Sequence, residues 1–171
     1  MTHQKLEDAS YEAFATTARE YGVDLQQVSL DELPDAVEEA VAPPAVGSPL
    51  PWDDASLPAN VTTDPTPADL EAAVTGVTAA SLAIASYGSV VLRADEHGSE
   101  PISLFNDRHV AVLHEDDIVP DMAAAFEWFG ETLRETRDSA IIATGPSATA
   151  DMGALVQGAH GPKEVEVLVV S

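Results

Sequence analysis

Two short loops near the C-terminus carry the side chains best suited to chemistry. The first, GPSATAD, turns the chain at Gly145 and Pro146 and then presents Ser147, Thr149 and Asp151. The two hydroxyl groups can donate hydrogen bonds to an anion, and the carboxylate of Asp151 can accept one from a ligand hydroxyl. The same side chains can also do no more than cap a helix. The loop matches neither GxxxxGK[ST] nor GxGxxG, so it does not by itself indicate a nucleotide site.

The segments on either side of this loop decide how it would bind. SAIIAT, which ends at Thr144, predicts a buried strand, and the residues after the loop predict a short helix that ends near Val156. Ligands of open α/β sheets bind outside the carboxyl ends of strands, where loops meet helix N-termini. Free backbone N–H groups and the dipole of such a helix favour phosphate or carboxylate. We therefore expect a small anionic ligand at this loop, with Asp151 either as the helix N-cap or as a hydrogen-bond partner of a ligand hydroxyl.

The second loop, GAHGP, holds one histidine among glycines and a proline. Gly158, Gly161 and Pro162 surround His160, and this composition imposes a backbone conformation that few other residues adopt. His160 held there can act as an acid or base, or donate to a ligand. Its ring can equally hydrogen-bond a neighbouring carbonyl and only stabilise the turn. His160 is therefore a weak candidate for a catalytic residue, and both roles stay open.

A third position of interest lies at the start of an apolar strand. Asn106 and Asp107 lead into Arg108 and His109, and Arg108 is one of only five arginines. Arg108 can receive an anionic substrate, or it can balance nearby carboxylates. The other histidines show neither HxH nor HExxH spacing, and no GxSxG sequence is present. We expect neither a metal ion nor an organic cofactor.

The overall composition excludes several classes of protein. The 171 residues include 30 acidic and 7 basic side chains, for a formal net charge of -23, and no cysteine. Without cysteine there is no disulfide, no thiolate zinc site and no cysteine-ligated iron–sulfur cluster. Nucleic acids and anionic membranes attract basic surfaces, so neither is an expected partner. Such acidity with only two lysines is typical of adaptation to a salt-rich cytoplasm, where ions screen the self-repulsion.

Length and apolar pattern indicate the location and the domain organisation. No segment reaches the roughly 18 apolar residues that span a bilayer, and the polar start MTHQKLEDAS does not look like a signal peptide. We expect a cytoplasmic protein with a single α/β domain over residues 1–171. Its parts are a helical lead-in (1–42), a proline-rich acidic connection (43–66) and a core (67–171). The connection should be an extended surface segment that includes an edge strand or acts as a lid.

Hydrophobic periodicity predicts strands that alternate with helices. The predicted helices cover residues 5–21, 33–41, 67–77 and 121–136, the last with an apolar face of Met122, Phe126, Phe129 and Leu133. The predicted strands are residues 24–30, the two halves of SLAIASYGSVVLRA on either side of a tight turn or bulge, ISLF, HVAVL, SAIIAT and VEVLVVS. This alternation favours an α/β fold with a mainly parallel sheet and helices on both faces.

The C-terminal part of the chain resembles the LUD domain of lactate-utilisation protein C proteins. The resemblance covers about residues 70–171, in the segments GVTAASLAIASYGSVVL, ISLFNDRHVAVL and GPSATADMGALVQGAHGPKEVEVLVV. GPSATAD followed by GxHGP and a terminal strand is its most specific part. The family has an acidic residue and a threonine before the glycine that matches Gly88, whereas this chain has Ser86 and Tyr87. A role that depends on that carboxylate therefore does not carry over.

The resemblance implies a fold similar to the NagB/RpiA/CoA-transferase-like α/β group. It also implies a link to the oxidation of L-lactate to pyruvate, beside partner proteins that carry iron–sulfur clusters. A chain without cysteine cannot hold those clusters on its own thiolates. The family-like positions are Gly88, His109, Gly145, Pro146, Ser147, Thr149, Asp151, His160, Gly161 and Pro162. CoA-transferase chemistry would need a glutamate nucleophile, and no glutamate lies in a matching loop.

Three hypotheses about function follow. The first is an accessory protein of lactate or related organic-acid utilisation, which binds a small anionic metabolite and contacts iron–sulfur partners. Ser147 and Thr149 would donate to the anion, Asp151 would orient the loop, and His160 with Arg108 would complete the pocket. The second is a stand-alone transferase or hydrolase that acts on a phosphorylated or CoA-linked acid, with His160 as general base. The third is a scaffold subunit without a ligand, and a homo-oligomer is left open in each.

Overall fold

A computed structural model describes the chain at residues 3–151 and 153–171, with side chains at residues 11–150 and 153–171. The α-helices are α1 (His3–Glu20), α2 (Leu33–Ala40), α3 (Pro67–Ala72), α4 (Ser99–Phe105) and α5 (Met122–Thr136). The strands are β1 (Asp24–Val28), β2 (Ala45–Gly47), β3 (Val61–Thr63), β4 (Thr75–Ala79), β5 (Leu82–Ile84), β6 (Ser89–Arg93), β7 (Arg108–His114), β8 (Ile118–Val119), β9 (Ala140–Thr144), β10 (Ala148–Asp151), β11 (Ala154–Gln157) and β12 (Glu164–Val170).

The main sheet has six strands in the order β1-β12-β7-β4-β2-β3, and every adjacent pair is parallel. Successive side chains of a strand point to opposite faces. Val110 and Val112 of β7 therefore pack against α2 on one face, while Ala111 and Leu113 pack with Phe14 of α1 on the other. The predicted α/β fold, with a mainly parallel sheet and helices on both faces, is confirmed.

A second sheet lies on the same face as α1. Its order is β8-β5-β6-β9, and β6 pairs antiparallel with both β5 and β9. Val90 and Leu92 of β6 share a core cluster with Leu113 of β7, so the two sheets are joined by buried side chains. The sequence predicted the β5–β6 pair and its tight turn, which ends at Gly88 with φ of 61°. It did not predict that these strands would form a sheet of their own.

The N-terminal predictions agree with the structure, apart from the connection. Helices α1 and α2 and strand β1 lie where periodicity placed them. Within residues 43–66, β3 is the edge strand that was expected. The description of this connection as a surface segment is wrong for β2, because all three of its residues are buried and it lies between β3 and β4. Three small, mainly apolar residues are enough to form this inner strand, although prolines precede and follow it in the sequence.

Two predicted helix and strand assignments near the middle of the chain are wrong. Helix α3 begins at the predicted residue, Pro67, and is capped by Thr66, whose Oγ1 accepts from the Asp69 N–H over 3.3 Å. It ends at Ala72, however, and Val77 lies in β4. ISLF is part of helix α4 and not a strand. Asp95 accepts hydrogen bonds from the backbone N–H of His97 and of Ser99 over 3.0 Å each, and these bonds stabilise the start of α4.

Helix α5 and strand β9 are less buried than their apolar residues suggested. Ala125, and not the predicted Phe126, is buried in α5, and Phe126 is 65% exposed. Strand β9 was predicted to be buried, but it is an edge strand whose residues are half-buried or exposed. Across the described residues, no helix combines the length and the apolar character needed to cross a membrane.

Candidate functional site

A cavity of about 610 Å³ lies between the two sheets. Its walls come from β6 and β9 of the second sheet, from the amino ends of β7 and β12, and from the two loops that the sequence singled out. The candidate residues that line it are Gly88, His109, Gly145, Pro146, Ser147, Thr149, His160, Gly161 and Pro162. Positions spread over 75 residues of the chain thus meet around one space.

Ser147 connects the two loops. Its backbone N–H donates to the Pro162 carbonyl over 2.8 Å, and its own carbonyl accepts from the Gly158 N–H over 2.9 Å. Its Oγ accepts from the His160 N–H over 3.4 Å. The Ser147 hydroxyl still has its own hydrogen to donate to a ligand. Ser147 therefore joins the two loops that form this wall of the cavity, and its hydroxyl can also contact a bound ligand.

The predicted short helix after GPSATAD is absent, and β10 and β11 form an antiparallel hairpin in its place. Thr149 faces Val156 across the hairpin, a pairing of β-branched residues that stabilises strands. Gly153 has φ of 81° and allows the tight turn. The prediction of anion binding at a helix N-terminus is therefore wrong here, and so is the N-cap role considered for Asp151. The side chain of Asp151 lies outside the described residues.

His109 forms part of the buried end of the cavity. It is 2% exposed, and its Nε2 lies 2.8 Å from Thr78 Oγ1. Burial lowers the pKa of His109 to about 4 because the charged imidazolium is poorly solvated there. The ring is therefore neutral at pH 7 and can donate or accept a hydrogen bond, but it supplies no positive charge.

Arg108 does not take part in the cavity, although it is adjacent to His109 in the sequence. Alternation along β7 turns its side chain to the opposite face of the sheet. There its guanidinium donates to Glu164 and to Glu166, each over 2.6 Å. Burial alone would lower the pKa of Arg108, but hydrogen bonds with the two glutamates raise it above its ordinary value. The hypothesis that Arg108 completes the ligand pocket is therefore wrong, and it balances carboxylates.

Gly88 and Gly145 line the cavity where backbones approach closely. A Cβ on Gly88 would lie 2.6 Å from the Ala18 backbone nitrogen of α1, and a Cβ on Gly145 would lie 2.7 Å from the Tyr21 carbonyl oxygen. Both glycines also have positive φ, of 61° and 63°. Their role is to let the end of α1 pack against the second sheet and the first loop. This close packing is enough to explain why glycine stands at both positions, and no contact with a ligand is needed.

The chemistry available in the cavity is hydrogen bonding and apolar contact. None of the lining residues in the described chain is Asp, Glu, Lys or Arg. A glutamate nucleophile for CoA transfer is therefore missing from the cavity wall. The polar side chains are those of Tyr21, Ser103, Thr144, Ser147 and Thr149, which carry hydroxyls, and the two histidines His109 and His160. No cluster of three His, Asp or Glu side chains suited to a metal ion occurs among the described residues.

Sequence reasoning missed the apolar part of the cavity wall. The buried floor consists of Val90, Leu92, Val165 and Val167, and Ile141 and Ala143 line the side. Period-two alternation in VEVLVV and SVVLR marks these residues as members of one face of a strand. No pattern in a single sequence shows that the two faces lie opposite each other with space left between them.

Comparison with known proteins identifies the family. The LUD domain family model matches residues 11–170. A lactate utilization protein C of Deinococcus radiodurans is 35% identical over 163 residues, which cover 88% of this chain and 74% of that protein. A lactate utilization protein C of Bacillus velezensis is 34% identical over 105 residues, which cover 59% of this chain and 44% of that protein.

A solved structure has the same fold. The crystal structure of a DUF162 family protein from Deinococcus radiodurans superposes with a TM-score of 0.75 at 24% identity and covers 96% of this chain and 98% of that chain. The family match begins within α1 and ends at the last residue of β12, so it includes both sheets and the cavity between them. The resemblance seen in the sequence is confirmed, and this chain belongs to the LUD domain family.

Proposed function

We propose that this chain acts in the utilisation of lactate or a related organic acid, and that it does so by binding an organic acid in the cavity between its two sheets. One observation carries the proposal. The segments GPSATAD and GAHGP, which give the family resemblance, converge on this cavity together with Gly88 and His109. Its curated relatives are named for lactate utilisation.

The roles of the loop residues follow from their positions. Ser147 and Thr149 are half-buried at the cavity wall and can donate their hydroxyl hydrogens to a carboxylate. His160 is exposed at the opening and can donate to the same group. Arg108 is not part of this arrangement, since its guanidinium forms ion pairs with Glu164 and Glu166. The site therefore binds an anion through neutral donors and a single solvent-accessible histidine.

Contact with iron–sulfur proteins is the second part of the proposal. Its support is the family resemblance, together with the absence of cysteine, which leaves clusters to another protein. The hairpin of β10 and β11 offers a surface for such contact, since Leu155 is 72% exposed and Val156 40% exposed. A pull-down with purified iron–sulfur lactate-oxidation proteins tests it, and retention that Leu155→Ser weakens is the expected result.

The acidic surface supports a further element of the proposal, a working environment of high salt in the cytoplasm. With a net charge of -23, self-repulsion opposes the compact state, and salt screens it. Unfolding measured from 0.1 M to 3 M KCl should show stability that rises with salt. The folded protein should therefore be purified, and its ligand binding measured, in molar KCl.

Calorimetry with organic acids tests the binding site. L-lactate and pyruvate are titrated into the wild-type protein, Ser147→Ala and the matched control Ser139→Ala, whose exposed serine lies outside the cavity. Loss of one hydrogen bond to a charged ligand should weaken Kd by about tenfold or more in Ser147→Ala. Ser139→Ala should bind as the wild type does. Binding that is equally tight in both variants would move the site away from these loops.

A further inference from the structure

The size of the cavity does not match a three-carbon acid. Lactate has six non-hydrogen atoms, and if each took the space of one water molecule in the liquid, the ligand would occupy about 180 Å³. The cavity holds about 610 Å³, which lies within the range of roughly 300–1,000 Å³ found for sites of drug-sized molecules. A lactate ion bound there would leave most of the space to water.

The walls of the buried part do not suit water or charge. Val90, Leu92, Val165 and Val167 are each less than 8% exposed and line this part with aliphatic groups. His109 adds only a neutral ring at pH 7, because burial keeps its pKa at about 4. A carboxylate moved into this region would lose its hydration without gaining an opposite charge. The buried part of the cavity therefore favours an uncharged, mainly apolar group.

Apart from His109 and the buried Ser103, whose hydroxyl donates to the Glu100 carbonyl over 2.7 Å, the polar groups lie at the other end. Thr144 and His160 are exposed, and Ser147 and Thr149 are half-buried, so these four groups stand between the apolar floor and solvent. An anion placed among them keeps part of its hydration and accepts hydrogen bonds from hydroxyls. The cavity thus changes from polar at its opening to apolar at its floor.

We propose that the occupant is an organic acid with an apolar body substantially larger than that of lactate, whose charged group stays among the loop hydroxyls while the body fills the space between the sheets. This inference rests on the proposed function for the identity of the site, and it names the class of ligand. The 2-hydroxy acids with longer alkyl chains are the simplest members of that class.

A chain-length series measures the effect directly. L-lactate, 2-hydroxyhexanoate and 2-hydroxyoctanoate are titrated by calorimetry into the protein in molar KCl. Each fully buried methylene group should tighten Kd by about fourfold, so the six-carbon acid should bind tens of times more tightly than lactate. Equal affinity for all three acids would overturn the inference.

A cavity-filling variant tests where the alkyl chain lies. Ala143 is partly buried on β9 and lines the cavity, so Ala143→Phe should place a ring in the space and remove the gain from chain length, while lactate affinity changes less than twofold. The matched control is Ala123→Phe, at an exposed position of α5 outside the cavity. It should keep the full dependence on chain length. Far-UV and near-UV circular dichroism check that both variants are folded.

An uncharged probe separates failure of the inference from failure of the proposed function. N-phenyl-1-naphthylamine fluoresces when it enters an apolar site and carries no acid group. If the probe binds, Ala143→Phe abolishes its binding and no acid binds, the cavity takes an apolar occupant and the organic-acid function is overturned. If acids bind with an affinity independent of chain length and the probe does not bind, the organic-acid function stands and the apolar occupant is overturned. Absence of both in folded protein would overturn both.

Discussion

The two faces of the main sheet are built from the same strands and reach opposite outcomes. On the face of α2, Leu33 and Val37 pack onto Val110 and Val112, and the core there is closed. On the other face, His109 lies at the border of a cavity of about 610 Å³. The closed face is covered by a helix and by the connection from β2, whereas the open face is covered partly by a second sheet.

The element that covers a face of the sheet decides whether that face becomes closed core or the wall of a cavity. Helix α2 presents an apolar stripe that fills the surface it covers. Strands β6 and β9 stand opposite β7 and β12 at a distance set by their side chains, and the methyl group of Ala143 is too small to fill that distance. Adjacent residues, Arg108 and His109, therefore belong to a partly buried ion pair and to a cavity wall respectively.

The largest expected effect is at the close contact between α1 and the second sheet. Gly88→Ala would place its Cβ 2.6 Å from the Ala18 nitrogen, at a φ of 61°. Strain of the backbone and overpacking together should lower the free energy of unfolding by about 3 kcal/mol or more. Gly130→Ala is the control, because nothing lies within 4 Å of its added Cβ and it should stabilise α5 by about 0.5–1 kcal/mol. Guanidinium unfolding in molar KCl compares them, and equal midpoints would show that α1 can move.

A second effect comes from the neutral histidine on the open face. Since the folded pKa of His109, about 4, lies below its unfolded value near 6.5, the unfolded chain binds the proton first as pH falls. The stability from neutral His109 is present above about pH 6.5 and is lost between pH 6.5 and pH 4. From pH 7 to pH 5 the wild type should lose about 2 kcal/mol more than His109→Gln. The control His97→Gln, at an exposed histidine, should follow the wild type, and parallel profiles for all three would contradict a buried neutral ring.

The ion pair of Arg108 tests whether the closed face of the main sheet is independent of ligand binding. Arg108→Gln removes the partner of Glu164 and of Glu166, whose side chain is 15% exposed. The free energy of unfolding should fall by about 1 kcal/mol, because the pair is only partly buried. Ligand affinity should not change, in contrast to Ser147→Ala. A loss of ligand binding in folded Arg108→Gln would remove the distinction between the two faces.

The smallest effect is expected at the hairpin beside the open face. Leu155 is 72% exposed, so Leu155→Ser should change the free energy of unfolding by no more than about 0.5 kcal/mol. Thermal unfolding in molar KCl measures it. A fall of several degrees would mean that the hairpin is held by contacts of this side chain and belongs to the folded core.

Local signals were sufficient for many elements but not for the candidate site. Helices α3 and α5 begin within one residue of the predicted positions, since the caps at Thr66 and Asp121 are each made within a few residues of chain. ISLF and the residues after GPSATAD were assigned wrongly because short segments of small and apolar residues suit both helix and strand. Their structure depends on what they pack against.

The family, the acidic charge and the two loops GPSATAD and GAHGP could be recognised from the sequence, because motifs and charge are properties of the chain alone. The fold was needed to show that Arg108 faces away from His109, that GPSATAD leads into a hairpin, and that the apolar faces of β6 and β12 leave a space between them. Each of these depends on contacts between residues far apart in the chain. Packing distance and strand direction are set by those contacts, and no local pattern encodes them.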